Sequence, residues 1–114
     1  VNVSLLSDRA RGAVRQVDLS GTVTTQPSFF YGSNTHAMHE KFGIRTDDGR
    51  SIEVIDNVKL APKVPVQPGD RVRVVGEFID DPKGPIVHWT HHDPRGTHPD
   101  GFIELDGVRY GRVA

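Results

Sequence analysis

The sequence predicts a small all-β domain, and three observations carry that expectation. Apolar and polar residues alternate over short stretches, as in R-V-R-V-V-G-E-F (71 to 78), which is the period of a strand with one buried face. The 12 Gly and 8 Pro are spread along the 114 residues without forming a tract, so turns recur at short intervals. Hydrophobic residues make up 35% of the chain, enough for one modest core.

Residues 1–13 read as a helical segment and 14–114 as a single barrel domain. In the first, S-L-L-S-D-R-A-R-G-A (4 to 13) suits a short helix, capped by Ser4 or Ser7 and ended by Gly12. Such a helix is too short to stand alone and needs a sheet to pack on. Residues 14–25 are rich in β-branched side chains and form a first strand, with Gly21 marking a bend or bulge. Residues 26–38 read as a loop, with turn chemistry at Pro27 and at Gly32-Ser33-Asn34. Its consecutive aromatics Phe29, Phe30 and Tyr31 either plug an end of the barrel or form a stacking platform over a site.

Residues 39–46 make a second strand, and Asp47-Asp48-Gly49-Arg50 turns it into a third at 51–58. The connection 59–69 holds Pro62, Pro65 and Pro68, which exclude a long helix. A fourth strand runs over 70–78, a turn over 80–84, and a fifth strand from Pro85 to about His92. F-I-E-L-D-G-V-R-Y (102 to 110) is a terminal hairpin about Asp106-Gly107, read as an appendage. Five principal strands with a connection between the third and fourth resemble the oligonucleotide/oligosaccharide-binding (OB) barrel. Another small barrel or roll fits nearly as well.

Composition narrows the function. A formal net charge of -1 provides no global field for nucleic acid or anionic lipid. The chain has no Cys, so disulfides and thiolate metal sites are excluded. No apolar run approaches the roughly 18 residues of a spanning helix, and a membrane is not an expected partner. Oligomeric state is left open.

Chemistry concentrates in residues 84–102, G-P-I-V-H-W-T-H-H-D-P-R-G-T-H-P-D-G-F, which hold four of the six histidines and the only tryptophan. If Pro85–Asp93 is one regular strand, Val87, Trp89, His91 and Asp93 share one face, and Ile86, His88, Thr90 and His92 the other. His91 and Asp93 then converge on one point, and the histidine-rich loop 88–100 can return His98 to it. Three N/O ligands with an open position suit a catalytic divalent metal such as zinc or manganese. His88, His92 and Arg95 are the candidate acid/base and anion-stabilising groups. The alternative is that the histidines hold the loop in shape by donating to backbone carbonyls, and that Arg95 pairs with Asp93 or Asp100. Trp89 reads as a core residue. His36 and His39 open the second strand, and with Phe30 and Tyr31 they form a candidate ligand surface. Lys41, Arg45, Arg71 and Arg73 either line a groove, Arg73 being the candidate contact, or are ordinary charged outer faces.

G-D-R-V-R-V-V-G-E-F, followed by P-K-G-P-I-V-H-W-T-H-H-D-P-R-G-T-H-P-D-G-F-I and preceded by L-A-P-K-V-P, resembles an uncharacterised bacterial family of small domains of unknown function, marked by an H-W-T-H-H-D-P signature. The resemblance covers roughly residues 20 to 110. It implies the same barrel-like fold and, in many members, an export signal, which a chain beginning at Val1 would suit. It transfers no activity. Two departures are visible: Pro85 stands where the family has the second residue of a Gly-Gly pair, and the segment carrying Phe29, Phe30 and Tyr31 is longer than in the family.

Two functions follow as expectations. One is a His/Asp site for a divalent metal or a phosphate-bearing ligand, with His91, Asp93 and His98 as ligands and phosphodiester hydrolysis as the natural reaction. The other is a non-catalytic module binding single-stranded nucleic acid, a glycan or a protein partner, with the histidines as a structural network.

Overall fold

The computed structural model describes residues 15–113. Its strands are β1 (Gln16–Val23), β2 (Ser28–Gly32), β3 (Ala37–Thr46), β4 (Ser51–Asn57), β5 (Arg71–Asp81), β6 (Gly84–His88), β7 (Phe102–Leu105) and β8 (Val108–Tyr110). No helix occurs among the described residues, and the helix expected over 4 to 13 lies outside them.

Five strands close a barrel in the order β1-β3-β4-β6-β5 and back to β1. Every pair is antiparallel except β4 with β6. Closure rests on β5, which is 11 residues long. One of its edges pairs with β1 from Arg71 to Glu77; the other pairs first with β7, from Val72 to Val75, and then with β6, from Glu77 to Asp81.

Alternation sets which face is buried. Phe42 and Ile44, Ile52 and Val54, Val72 and Val74, and Val87 point inward and form the core. The proline-rich connection adds Val64 and Val66, so an irregular segment seals the barrel. Each such side chain contributes about 1.5–3 kcal/mol through its burial.

Three expectations change. The segment 26–38 is not wholly loop: Ser28–Gly32 pairs with Ala37–Lys41 as β2, an edge strand carried outside the barrel circuit. Its aromatics plug nothing, since Phe29, Phe30 and Tyr31 are 46%, 37% and 59% exposed. The fifth barrel strand ends at His88, four residues earlier than about His92. The terminal hairpin is no appendage, because β7 covers the part of the β5 edge that β6 leaves open and buries Ile103 and Leu105 in the core. Its turn places Asp106 and Gly107 at φ 52° and 78°, the left-handed pair that a two-residue hairpin requires.

Ile103→Ala is therefore expected to cost about 2–5 kcal/mol in urea unfolding. Val108→Ala, on the exposed strand of the same hairpin, should change stability by about 0.5 kcal/mol or less.

Candidate functional site

The histidine motif is built around a break in β6. Trp89 adopts φ 54°, a left-handed conformation that bulky residues rarely take. The two-residue period stops there, so the expected faces beyond Val87 do not form. His88 stays on the outer wall, where its Nε2 lies 2.7 Å from Oε1 of Glu77, its cross-strand partner. Thr90 turns toward the barrel and is fully buried, donating to the Ile55 carbonyl at 3.1 Å and to Asp56 Oδ1 at 3.2 Å. Gly76 makes room, since a Cβ there would overlap the His88 carbonyl oxygen.

Trp89 is a half-buried stacking partner and no core residue. Its ring lies between His88, with centroids 4.9 Å apart, and His98, 4.2 Å apart, both nearly parallel to it. His91 meets His98 edge-on at 5.1 Å.

The other histidines are tied by their Nδ1 atoms. His91 Nδ1 is 2.7 Å from the His92 carbonyl, and His98 Nδ1 is 2.8 Å from the Pro99 carbonyl. A carbonyl only accepts, so Nδ1 carries the hydrogen, and in the neutral ring Nε2 carries the lone pair. Burial favours neutral His91 by lowering its pKa, and the nearby His98 adds to this against the His92 carbonyl. His92 Nδ1 lies 2.8 Å from Asp100 Oδ2; this bond, foremost, lowers the Asp100 pKa.

Asp93 is the hub of the loop. Its oxygens accept the backbone N–H groups of Arg95, Thr97 and His98 and the Thr97 hydroxyl. Burial raises its pKa, but these hydrogen bonds outweigh that and hold it far below the usual carboxylate range. His98 Nε2 is 3.8 Å away. His98 thus lies beside both His91 and Asp93, though not through the regular strand expected, and the Asp93 carboxylate is already engaged by its own loop. Among the described residues no group of three His, Asp or Glu is placed to hold a metal ion. The exposed Arg95 side chain pairs with neither Asp93 nor Asp100, and Arg112 approaches Asp100 at 3.9 Å.

His36 and His39 belong to the β2–β3 hairpin. The Tyr31 hydroxyl is 3.5 Å from His36 Nδ1, while His39 stacks on Phe30 at 5.1 Å and binds the Ala37 carbonyl. Arg73 lies elsewhere, in a two-point pair with Asp18 between β5 and β1. Arg71 likewise pairs with Asp47.

A groove of about 830 Å³ runs over the outer wall, lined by Gly43, Glu53, Ile55, Ile86 and the turn at Pro82-Lys83. Registers place Lys41 beside Ile55 and, on its other side, Ser28 of β2. The Lys41 ammonium sits 5.7 Å over the Phe30 ring, so Lys41 stands between Ile55 of the groove wall and the aromatic hairpin. His88 follows Val87 and shares the outward face with Ile86, bordering the groove.

The sequence reading missed three carboxyls. Glu77 is buried under His88. Glu40 and Asp56 lie inside the barrel, and their signal was in the alternation: Glu40 shares parity with Phe42 and Ile44, and Asp56 with Ile52 and Val54.

Asp93→Asn is expected to cost about 2 kcal/mol near pH 7, because an amide cannot accept all four donors. Asp93 titrates lower in the folded than in the unfolded chain, so its contribution is present above the unfolded pKa and lost as pH falls through about 4 and below. Urea unfolding from about pH 6 to 2 should show the gap between wild type and variant closing.

No curated protein and no solved structure is found to match the chain. A family model described as a protein of unknown function, DUF3465, matches residues 5–111, nearly the whole chain. The β-barrel with its histidine motif and outer groove therefore belongs to that family of unknown function.

Proposed function

We propose that the chain is a non-catalytic binding module of the OB type, which lays single-stranded nucleic acid across the outer face of β3, β4 and β6. The carrying observation is Lys41, which sits over the exposed Phe30 ring and beside Ile55 of the groove wall. A single strand offers planar bases to stack on such rings and phosphates for such ammonium groups.

Three further features support this reading. The strand order β1-β3-β4-β6-β5 with a parallel β4–β6 pair agrees with an OB barrel. In that fold the face of the second and third barrel strands, with the loops after the first and before the fifth, takes the ligand. Here these are β3, β4, the segment carrying β2, and the Pro82-Lys83 turn, and the groove lies among them. Finally, Lys41 and Lys83 pair with no carboxylate among the described residues, while Arg71, Arg73 and Arg109 each do.

A fluorescently labelled dT15 oligonucleotide provides the test, by anisotropy at low ionic strength. Phe30→Ala and Lys41→Ala should each weaken binding about fivefold or more, from about 1–3 kcal/mol for a stacked base and the loss of a phosphate contact. His91→Ala should leave binding unchanged. Absence of wild-type binding, or an equal loss in His91→Ala, would refute the reading.

One observation favours a second reading. With Nδ1–H of His91 and His98 fixed on carbonyls, both rings have the orientation typical of metal-ligating histidines. His91, His98 and Asp93 would then bind zinc, manganese or a phosphate-bearing ligand, and Arg95 with His88 or His92 would serve phosphodiester hydrolysis. Elemental analysis with thermal melting in chelator decides: stoichiometric metal abolished by His91→Ala supports it, and no uptake after loading rejects it.

A further inference from the structure

Inside one end of the barrel two carboxyl groups face each other without a base between them. Glu40 on β3 and Asp56 on β4 are direct cross-strand partners, 1% and 0% exposed. Direct partners have Cβ atoms about 4.5–5.5 Å apart, so the two side chains meet. Each engages one oxygen: Glu40 Oε1 accepts the Val64 N–H at 2.8 Å, and Asp56 Oδ1 accepts the Thr90 hydroxyl at 3.2 Å. The remaining oxygens, Glu40 Oε2 and Asp56 Oδ2, are buried and have no hydrogen-bond partner.

Two ionised carboxylates at this spacing, out of water, would repel each other and leave both oxygens unsatisfied. One added proton resolves both problems, since the acid O–H on one residue donates to the oxygen on the other. We propose that Glu40 and Asp56 are a proton-binding site, sharing one proton between Oε2 and Oδ2 as a carboxylic acid–carboxylate hydrogen bond. This site fastens two irregular segments to the barrel, the proline-rich connection through Val64 and the histidine motif through Thr90.

The surroundings are consistent with retention of the proton. Burial holds both groups above the usual carboxylate range, and the neighbouring Glu40 helps push Asp56 to about 8 against the Thr90 hydrogen bond. Among the described residues the one cation acting on the pair is exposed Lys63, on the Glu40 side. On β4 the neighbouring Asn57 N–H lowers the Asp56 pKa as Thr90 does, leaving Oδ2 unpartnered, and Gly76 of β5, which lies against Thr90, is uncharged.

The folded chain then binds one proton more than the unfolded chain between the unfolded carboxyl pKa, about 4, and about 8. The stabilisation is fully present below that window and is lost as pH rises through it. The first test uses the wild-type protein: carbon NMR of the Glu40 and Asp56 side-chain carboxyls across pH. Expected is one protonated carboxyl per pair at neutral pH, released near pH 8 with both carbons responding together. Ordinary independent titration of both below about pH 5 would overturn the proposal.

The second test is Asp56→Asn, whose amide can donate to Glu40 Oε2 without a proton to lose. Across the window the ratio of wild-type to variant folding constants should fall by up to about tenfold per pH unit. A ratio independent of pH would overturn the proposal. So would a wild-type melting temperature that rises with added potassium or calcium at neutral pH while that of Asp56→Asn does not, because the pair would then hold a cation.

Discussion

The left-handed backbone at Trp89 is the constraint on which both halves of the molecule depend. A bulky residue at φ 54° is costly, on the order of 1–3 kcal/mol, and persists only where its surroundings fix it. Here the Trp89 ring is held between two imidazoles, and the flanking residues point to opposite sides of the wall. His88 is committed outward to Glu77 and Thr90 inward to Asp56. Regular alternation would put His88 and Thr90 on one face, and one of these two buried carboxyls would lose its partner.

The motif therefore works as a joint. Beyond it, the Asp93 carboxylate organises the loop through four donors, and the chain returns at Gly101, where a Cβ would overlap the Val75 and Trp89 carbonyl oxygens. From there β7 occupies the rest of the β5 edge and brings Ile103 and Leu105 into the core. A histidine-rich loop of this kind is a structural bridge between two strands that share one edge, whatever else its imidazoles do. The exposed pairs Arg71–Asp47 and Arg73–Asp18 contribute far less, since solvent-screened ion pairs are worth at most about 1 kcal/mol.

The proposed binding surface is separate in origin. β2 is an edge strand that does not enter the barrel circuit, so its aromatics have no core to join and remain exposed beside lysines. The β3 register sets Lys41 between Ser28 of this lip and Ile55 of the groove wall. Polar groups inside the barrel and apolar groups outside it both depart from the ordinary pattern of burial. They are also where the proposed binding face and the proposed proton site lie.

By itself the sequence determined the all-β class, most of the barrel strands and the turns, because alternation, prolines and Asp-Gly pairs are local signals whose physics acts within a few residues. It also located the histidines and Asp93 of the motif in one short stretch, but not how their side chains are arranged. Tertiary structure decided the rest. The end of β6 at His88, the strand within 26–38, the burial of β7 and the meeting of Glu40 with Asp56 all depend on which strand lies beside which. That is a property of closure, and residues far apart in the chain set it.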